Sequence, residues 1–328
     1  MPNGLRTLSG PRTTRKTGSV WIPLSICLLA ILLSSRSAHA TENGGSAYPV
    51  GAETVLQGTM PAPHQTGAAT FSLFCSANQM NDTNGNPYKM DFKLRVVGNA
   101  LKIEHNWGVP VLGGTLESTI AVPVLYEQVR APNAMDVSEK TTQFGLSNLL
   151  LVPVGVAYHK GNWHGFYQLD IYPPGAPYSK TPGALNVGQH NFALAPVGAF
   201  TYLSDKEKWE VSSKANYIVN FEDGDTKYRS GTELTWEYTL MHSISKKAAL
   251  GFNGYLYQQT TGDQLSGVEV KGGNKGRDLA VGPQLRVFFG KHCAFAVKYF
   301  HDTLVENKPS GNGFWFETGF PLSFGKKQ

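Results

Sequence analysis

Apolar and polar side chains alternate one by one along several segments of this chain. Between Thr232 and Leu240, every even position from 234 onward is apolar or aromatic, and every odd position carries Glu or Thr. Neighbouring side chains of a β-strand point to opposite faces, so only a strand with two different faces requires this pattern. The alternation returns at 209–221 and 314–324. It predicts an all-β fold.

The connections between these segments alternate in length. Long connections such as 174–189 and 261–276 follow every other candidate strand, and short ones such as 159–162 follow the rest. Outer-membrane barrels have short periplasmic turns and long extracellular loops, whereas a soluble β-sandwich, the alternative, has no reason to keep this order. The sequence therefore predicts an antiparallel transmembrane β-barrel of about 12 strands. The candidate strands are 66–78, 92–106, 114–130, 144–158, 163–173, 190–204, 209–221, 229–242, 247–260, 277–290, 293–304 and 313–324.

The first 40 residues have the organisation of a secretory signal peptide. They contain five Lys and Arg residues, no Asp or Glu, and a mainly apolar run of 14 residues at 20–33. That run is shorter than the ~20 residues of a membrane-spanning helix. Small residues before Thr41 predict cleavage between Ala40 and Thr41. The expected organisation is a signal peptide at 1–40, a periplasmic N-terminal segment at 41–65 and an outer-membrane barrel at 66–328.

Charge and cysteine content exclude two classes of protein. After residue 40, Lys and Arg together equal Asp and Glu at 24 each, so no basic domain is left to bind nucleic acid. The two remaining cysteines, Cys75 and Cys293, are too few for a disulfide framework. The strand order places them at opposite ends of a hydrocarbon band roughly 25 Å tall. A disulfide needs Cα atoms within about 7 Å, so two free thiols are predicted.

Motifs for catalysis or cofactor binding are absent from the sequence. There is no Gly-x-Ser-x-Gly, and none of the nine histidines stands in a His-x-Ser-Asn-Gly string, which makes an outer-membrane lipase the least favoured alternative. The oxygen-rich run at 82–86 lacks the spaced Glu of an EF-hand, and the glycine-rich run at 272–276 is not followed by a helix. We expect no enzyme activity, no metal and no cofactor.

The alternation also assigns charged and aromatic side chains to the inside of the barrel. Charges that pair across the lumen would seal it, whereas the same groups along an open path would orient the polar head of a permeating molecule. Aromatic side chains would offer that molecule an apolar surface. The predicted lumen residues are Lys93, Arg95, Glu117, Asp170, Lys214, Glu233, Glu237, Tyr255, Tyr257, Arg286, Lys298, Trp315 and Glu317.

Several short strings in combination resemble one bacterial family. They are NDTNGN at 81–86, VGNAL at 97–101, YRSGTE at 228–233, GYLYQQTT at 254–261, NKGR at 274–277 and GPQ at 282–284. From about residue 66 onward the chain is similar to the outer-membrane proteins catalogued under the phenol-degradation meta-pathway, which include sphingosine-induced relatives.

The resemblance implies a role in carrying hydrophobic or aromatic small molecules across the outer membrane of a Gram-negative bacterium. The expected partners are outer-membrane lipid, such a small molecule and the barrel assembly machinery. A sealed barrel with a structural or surface-interaction role is the main alternative, since the charges in the lumen are consistent with either.

Overall fold

The computed structural model describes residues 45–132, 138–175, 178–180, 184–289 and 293–322. The signal peptide and the cleavage position between Ala40 and Thr41 lie outside these residues and stay predictions. None of the helical turns within the described ranges is long or apolar enough to cross a membrane.

The described residues form strands joined by turns and loops, with one short 3-10 turn at Asp205–Glu207. The strands are β1 (Thr66–Met80), β2 (Lys93–Val111), β3 (Gly114–Pro132), β4 (Ser138–Leu146), β5 (Leu150–Lys160), β6 (Trp163–Tyr172), β7 (Ala193–Leu203), β8 (Trp209–Asn220), β9 (Tyr228–Arg229), β10 (Glu233–Ser243), β11 (Ala248–Gln259), β12 (Gln264–Leu265), β13 (Val268–Glu269), β14 (Arg277–Phe289), β15 (Cys293–Glu306) and β16 (Pro309–Pro321).

Twelve strand positions close into a ring. All neighbours pair antiparallel. The first strand, β1, pairs with the last, β16, and β2 pairs with β3, so the order closes on itself. β2 occupies one edge of β3, while β4 and β5 pair with different halves of its other edge. β4 and β5 are therefore two halves of one strand position, interrupted at 147–149. The prediction of an all-β barrel of about 12 strands is confirmed.

The two ends of the ring differ in the length of their connections. One end, the short-turn end, has connections such as 112–113, 161–162 and 244–247, and the other, the long-loop end, has 81–92, 173–192, 221–232 and 260–276. β9, β12 and β13 form a small separate sheet within two of those long loops. Two predicted long connections are wrong. The candidate strands leave 131–143 and 305–312 as connections, but β3 reaches Pro132 and β4 begins at Ser138, and β15 and β16 continue to a two-residue turn at Asn307 and Lys308.

Burial along the strands is the reverse of that in a soluble protein. In β8 the polar positions Glu210, Ser212 and Asn216 are buried, while Val211 and Tyr217 are exposed. β10 repeats the pattern, with its glutamates inside and Trp236 outside. Polar side chains therefore line the lumen, and an apolar band surrounds the ring, as a lipid environment requires.

Residues 45–65, which we call the inner segment, run through the lumen. Gly58 lies so close to the wall that a Cβ atom there would overlap the backbone of Phe200 and Thr201 in β7. The amide of Gly58 donates to the Thr201 hydroxyl at 2.8 Å. The described residues 45–65 therefore lie inside the ring of strands rather than ahead of it, because polar groups on the inner wall bind their backbone. A periplasmic location for the segment stays a prediction.

Candidate functional site

A cluster of charged side chains holds the inner segment in the middle of the lumen. The Glu53 carboxylate lies 3.1 Å from Lys102 Nζ and 2.6 Å from Lys214 Nζ, and Lys102 also contacts Glu104 at 2.7 Å. Burial raises the pKa of Glu53, but the two ammonium groups lower it by more, so this pKa lies well below its usual range. Glu53 is therefore ionised at neutral pH and serves as a counter-ion for both lysines.

Hydrogen bonds from the wall fix the backbone on either side of Glu53. The Glu237 carboxylate accepts from the Tyr48 hydroxyl at 2.8 Å and from the Gly51 amide at 2.5 Å. The Lys298 ammonium donates a hydrogen bond to the Ala52 carbonyl. Buried carboxylates and ammonium groups are stable only when such partners satisfy them. The inner segment and the charged wall thus stabilise each other.

The inner segment divides the lumen into two cavities of similar size. The loop-end cavity, about 340 Å³, lies between residues 45–53 and the long loops. The turn-end cavity, about 320 Å³, lies between residues 53–61 and the short-turn end. Glu53 and Lys102 line both cavities. The charged cluster is therefore the boundary between them.

Aromatic side chains form one wall of the loop-end cavity. Phe71, Tyr255, Phe300 and Trp315 belong to one buried apolar cluster, and the rings of Tyr255 and Phe300 are 5.9 Å apart. Aliphatic side chains from β2, β3 and β5 complete the lining, among them Leu150. This cavity offers an apolar ligand the kind of surface that most small-molecule sites provide.

Polar groups gather where the loop-end cavity approaches the long loops. The Tyr255 hydroxyl contacts the carboxyl groups of Asp302 at 2.9 Å and Asp278 at 3.3 Å. Among the described residues, the Oδ1 atom of Asp278 has no hydrogen-bond partner. The Lys308 ammonium lies 4.2 Å above the ring of Tyr257. The cavity is therefore apolar at its side and acidic at its outer end.

The structure places eleven of the predicted lumen residues inside the ring. Lys298 and Glu317, which stand on the neighbouring strands β15 and β16, pair at 3.0 Å. Lys214 binds Glu53 rather than a glutamate of β10. Their role in permeation or sealing stays a prediction. The residues inside are Glu117, Asp170, Lys214, Glu233, Glu237, Tyr255, Tyr257, Arg286, Lys298, Trp315 and Glu317.

The prediction is wrong for Lys93 and Arg95. Both are exposed on the outer side of β2, whereas Leu94 and Val96 line the loop-end cavity. β2 is 19 residues long and extends beyond the apolar band. Beyond that band the outer face of the strand is polar. At this rim the exposed Arg130 pairs with Asp91 at 2.8 Å. At this rim the polar residues are therefore outside and the apolar ones inside, the reverse of the order in the apolar band.

Sequence reasoning missed several charged groups of the site, and three of them show why. Lys102 was overlooked because the phase of β2 was taken from Lys93 and Arg95. Asp278 lies on β14 on the same face as Arg286, so the alternation itself would have found it. Glu53 lies outside any strand, where alternation gives no signal.

One group of side chains at the long-loop end has the composition of a metal site. His190 Nδ1 lies 3.1 Å from the Asp223 carboxylate and 3.8 Å from that of Asp225. Backbone amides of Asp225 and Thr226 also donate to Asp223, and Lys180 pairs with Asp225 at 2.8 Å. These contacts make the group a bridge between two loops.

Comparison with known proteins agrees with the geometry. Residues 77–318 match the model of the family described as "Putative MetA-pathway of phenol degradation". The fold is similar to that of the COG4313 outer membrane channel from Pseudomonas putida F1, with a TM-score of 0.67 and 16% identity over 81% of this chain and 98% of that one.

More distant likenesses extend to other barrels. The transport unit of the autotransporter AIDA-I from Escherichia coli has a TM-score of 0.46 and 8% identity, over 79% of this chain and 91% of that one. The translocator domain of NalP from Neisseria meningitidis has a TM-score of 0.43 and 11% identity, over 91% and 96%. No curated protein sequence matches the chain. At these identities the solved structures show the fold alone.

Proposed function

The chain belongs to the family described as the MetA-pathway of phenol degradation, and from this premise we propose that it is an outer-membrane channel for hydrophobic or aromatic small molecules. The observation that carries the proposal is the loop-end cavity, with its aromatic wall. Its volume of about 340 Å³ lies in the range of roughly 300–1,000 Å³ common for small-molecule sites.

The orientation of the barrel follows from its two kinds of connection. The long-loop end faces the outside of a Gram-negative cell and the short-turn end faces the periplasm, as in other outer-membrane barrels. A molecule from outside then enters the loop-end cavity first. Outer-membrane lipid around the apolar band and the assembly machinery that inserts such barrels are the other expected partners.

Passage requires the inner segment to move. The charged cluster around Glu53 separates the two cavities. An uncharged solute forms no ion pair with this cluster that would replace the contacts between Glu53 and the two lysines. Displacing residues 45–61 toward the periplasm would join the cavities into one path. The same contacts support the second candidate, a sealed barrel in which the inner segment never leaves.

Uptake into liposomes distinguishes these functions. The purified full-length chain is reconstituted, and entry of labelled phenol and toluene is compared with entry of glucose and with empty liposomes. Because phenol and toluene also cross bare lipid, we expect the protein to raise entry of both above that in empty liposomes and to leave entry of glucose unchanged. A variant without residues 45–65 is the reference for an open lumen.

Two results would contradict the proposal. Aromatic uptake no faster than in empty liposomes, while the variant without the inner segment conducts, would establish the sealed barrel. Release of fatty acid from the liposome lipid, absent from empty liposomes, would establish the lipase alternative.

A further inference from the structure

We propose, on the basis of the proposed channel function, that the loop-end cavity selects molecules that carry a protonated amine on an aromatic or apolar body. The amine lies beside Asp278 and Asp302, and the body lies against the aromatic wall. This names a substrate class within the proposed function.

The charge at the outer end of the cavity favours a cation. Three carboxyl groups line this end, those of Glu127, Asp278 and Asp302, together with a single ammonium group, that of Lys308. Within the part of the chain that the structure describes, none of the three carboxyl groups lies within 4.0 Å of a cationic side chain.

Three other carboxylates that line the lumen are paired with cationic side chains. Glu53 contacts two lysines, Glu210 contacts Arg286, and Glu317 contacts Lys298. The carboxyl groups at the outer end of the cavity have no such partner among the described residues, and a bound cation would supply one.

Asp278 offers the hydrogen-bond acceptor for that cation. Its side chain lines the cavity and the residue is only 6% exposed. The Tyr255 hydroxyl lies 3.3 Å from Oδ2, while Oδ1 has no partner among the described residues. The carboxylate of Asp302 is better satisfied, since it contacts the Tyr255 hydroxyl and the Gly311 amide. An ammonium group brings three donors and a positive charge to this position.

The aromatic wall suits the rest of the molecule. Tyr255 contacts the carboxyl groups with its hydroxyl and belongs with Phe71, Phe300 and Trp315 to the apolar cluster beside them. Faces of such rings attract cations and bury aromatic bodies. An ionised carboxylic acid of the same shape would meet three carboxyl groups instead, so the cavity discriminates against it.

Cys75 provides a reporter within this cavity. It lines the cavity from β1, whereas Cys293 starts β15 at the short-turn end and is not part of the lining. In the purified full-length protein near neutral pH, alkylation by N-ethylmaleimide is followed by mass spectrometry for both residues. The probes are 2-phenylethylamine, 2-phenylethanol and 3-phenylpropionate, which share a phenyl ring and differ in charge.

We expect the amine to slow alkylation of Cys75 by about tenfold at a concentration at which the acid has no effect, with the alcohol between them. Alkylation of Cys293 should not respond. Asp278→Asn and Asp302→Asn should each abolish the protection. Asp91→Asn, which removes an exposed carboxylate at the rim, should retain it. A heat-dependent gel shift confirms that each variant is folded.

Equal protection by all three compounds, or full protection in Asp278→Asn, would overturn the inference. Equilibrium dialysis with labelled compounds gives the same comparison if Cys75 reacts slowly. The two proposals fail separately. Passage of phenol without amine selectivity removes only this inference, and selective amine binding without passage of any aromatic compound removes only the channel.

Discussion

At the scale of single residues, we expect replacement of Glu53 to have the largest effect on stability and conductance. It is the shared counter-ion of Lys102 and Lys214, whose side chains are 13% and 1% exposed. Removing one partner of a buried ion pair typically costs about 3–5 kcal/mol because the other charge is left without compensation. We therefore expect Glu53→Gln to lower the thermal unfolding temperature and to raise conductance in planar bilayers.

Asp91→Asn serves as the control for Glu53→Gln, since it removes a carboxylate from an exposed pair at the rim, where little stability is expected. Equal conductance of Glu53→Gln and the unmodified protein would show that the charged cluster does not hold the inner segment in place.

The two cysteines should differ in reactivity. Both are free in the structure, as predicted, with Cys75 lining the loop-end cavity and Cys293 at the start of β15. In proteoliposomes we expect a small neutral maleimide to reach Cys75 and a charged maleimide to label Cys293 slowly until the barrel is denatured. A peptide that links Cys75 to Cys293 in native protein would contradict the strand order.

The positions of residues could be predicted where apolar and polar side chains alternate along a strand. Glu237 and Lys298 were placed in the lumen because each stands between apolar neighbours on a strand with one lipid face. Arg95 failed the same reasoning because its side chain lies on the outer face beyond the apolar band, whereas the inner face beside it carries the apolar residues Leu94 and Val96. Glu53 has no strand neighbours, so nothing periodic marked it.

At the scale of elements, the position of the inner segment within the lumen is the largest difference from the prediction. Its sequence does contain a signal, because Glu53 is the only Asp, Glu, Lys or Arg between residues 45 and 65. An exposed linker of this length normally carries more charge. Low charge with several apolar side chains indicates burial, although it does not say against which surface.

Deleting residues 45–65 tests the inner segment as a unit. The strand pairs of the ring do not involve it, so we expect the barrel to fold and to conduct ions strongly. Thermal stability should fall, because Lys214 and Glu237 lose partners. A Gly/Ser replacement of equal length is the control, and we expect it to conduct like the deletion. Low conductance of both variants would show that residues other than 45–65 close the lumen to ions.

The break between β4 and β5 is a second element that the sequence did not reveal, since 144–158 was expected to be one strand. At the break, the Asn148 side chain donates to the Gln189 carbonyl at 3.0 Å and accepts from the Gln189 amide at 2.8 Å. These bonds replace ladder contacts between strands. Proline and polar residues nearby gave no sign of a partner 41 residues away.

Asn148→Ala should loosen the long loop at 173–192. Leaving the Gln189 backbone groups unpaired costs about 1–3 kcal/mol. We expect faster proteolysis of this loop without loss of the heat-dependent gel shift. Asn186→Ala, which removes exposed hydrogen bonds within the same loop, is the control. Unchanged proteolysis in Asn148→Ala would show that the loop is held by other contacts.

At the scale of the whole molecule, the closed ring should resist detergent. Twelve strands with no free edge in the ring unfold together, so unheated protein should migrate differently from boiled protein in a gel. It should also fractionate with the outer membrane. Identical mobility together with recovery in the periplasm would contradict the barrel.

The architecture of the molecule was predictable because its two signals extend over the whole chain. Alternation along each strand and alternation in connection length do not depend on any one residue, so the error at Asn307 and Lys308 left the strand count intact. The occupant of the lumen was not predictable, since it follows from contacts between residues far apart in sequence.

The inner segment restricts the order in which this protein reaches its native state. Its last residue leads directly into β1, and β1 closes the ring by pairing with β16, near the other end of the chain. Pairing of such distant strands is the slow step of β-protein folding. Gly58 packs against the backbone of β7 with no room for a side chain, so the wall around it has to form close to an already positioned chain. We therefore expect β1 and β16 to pair last, after the inner segment has already taken its place in the lumen.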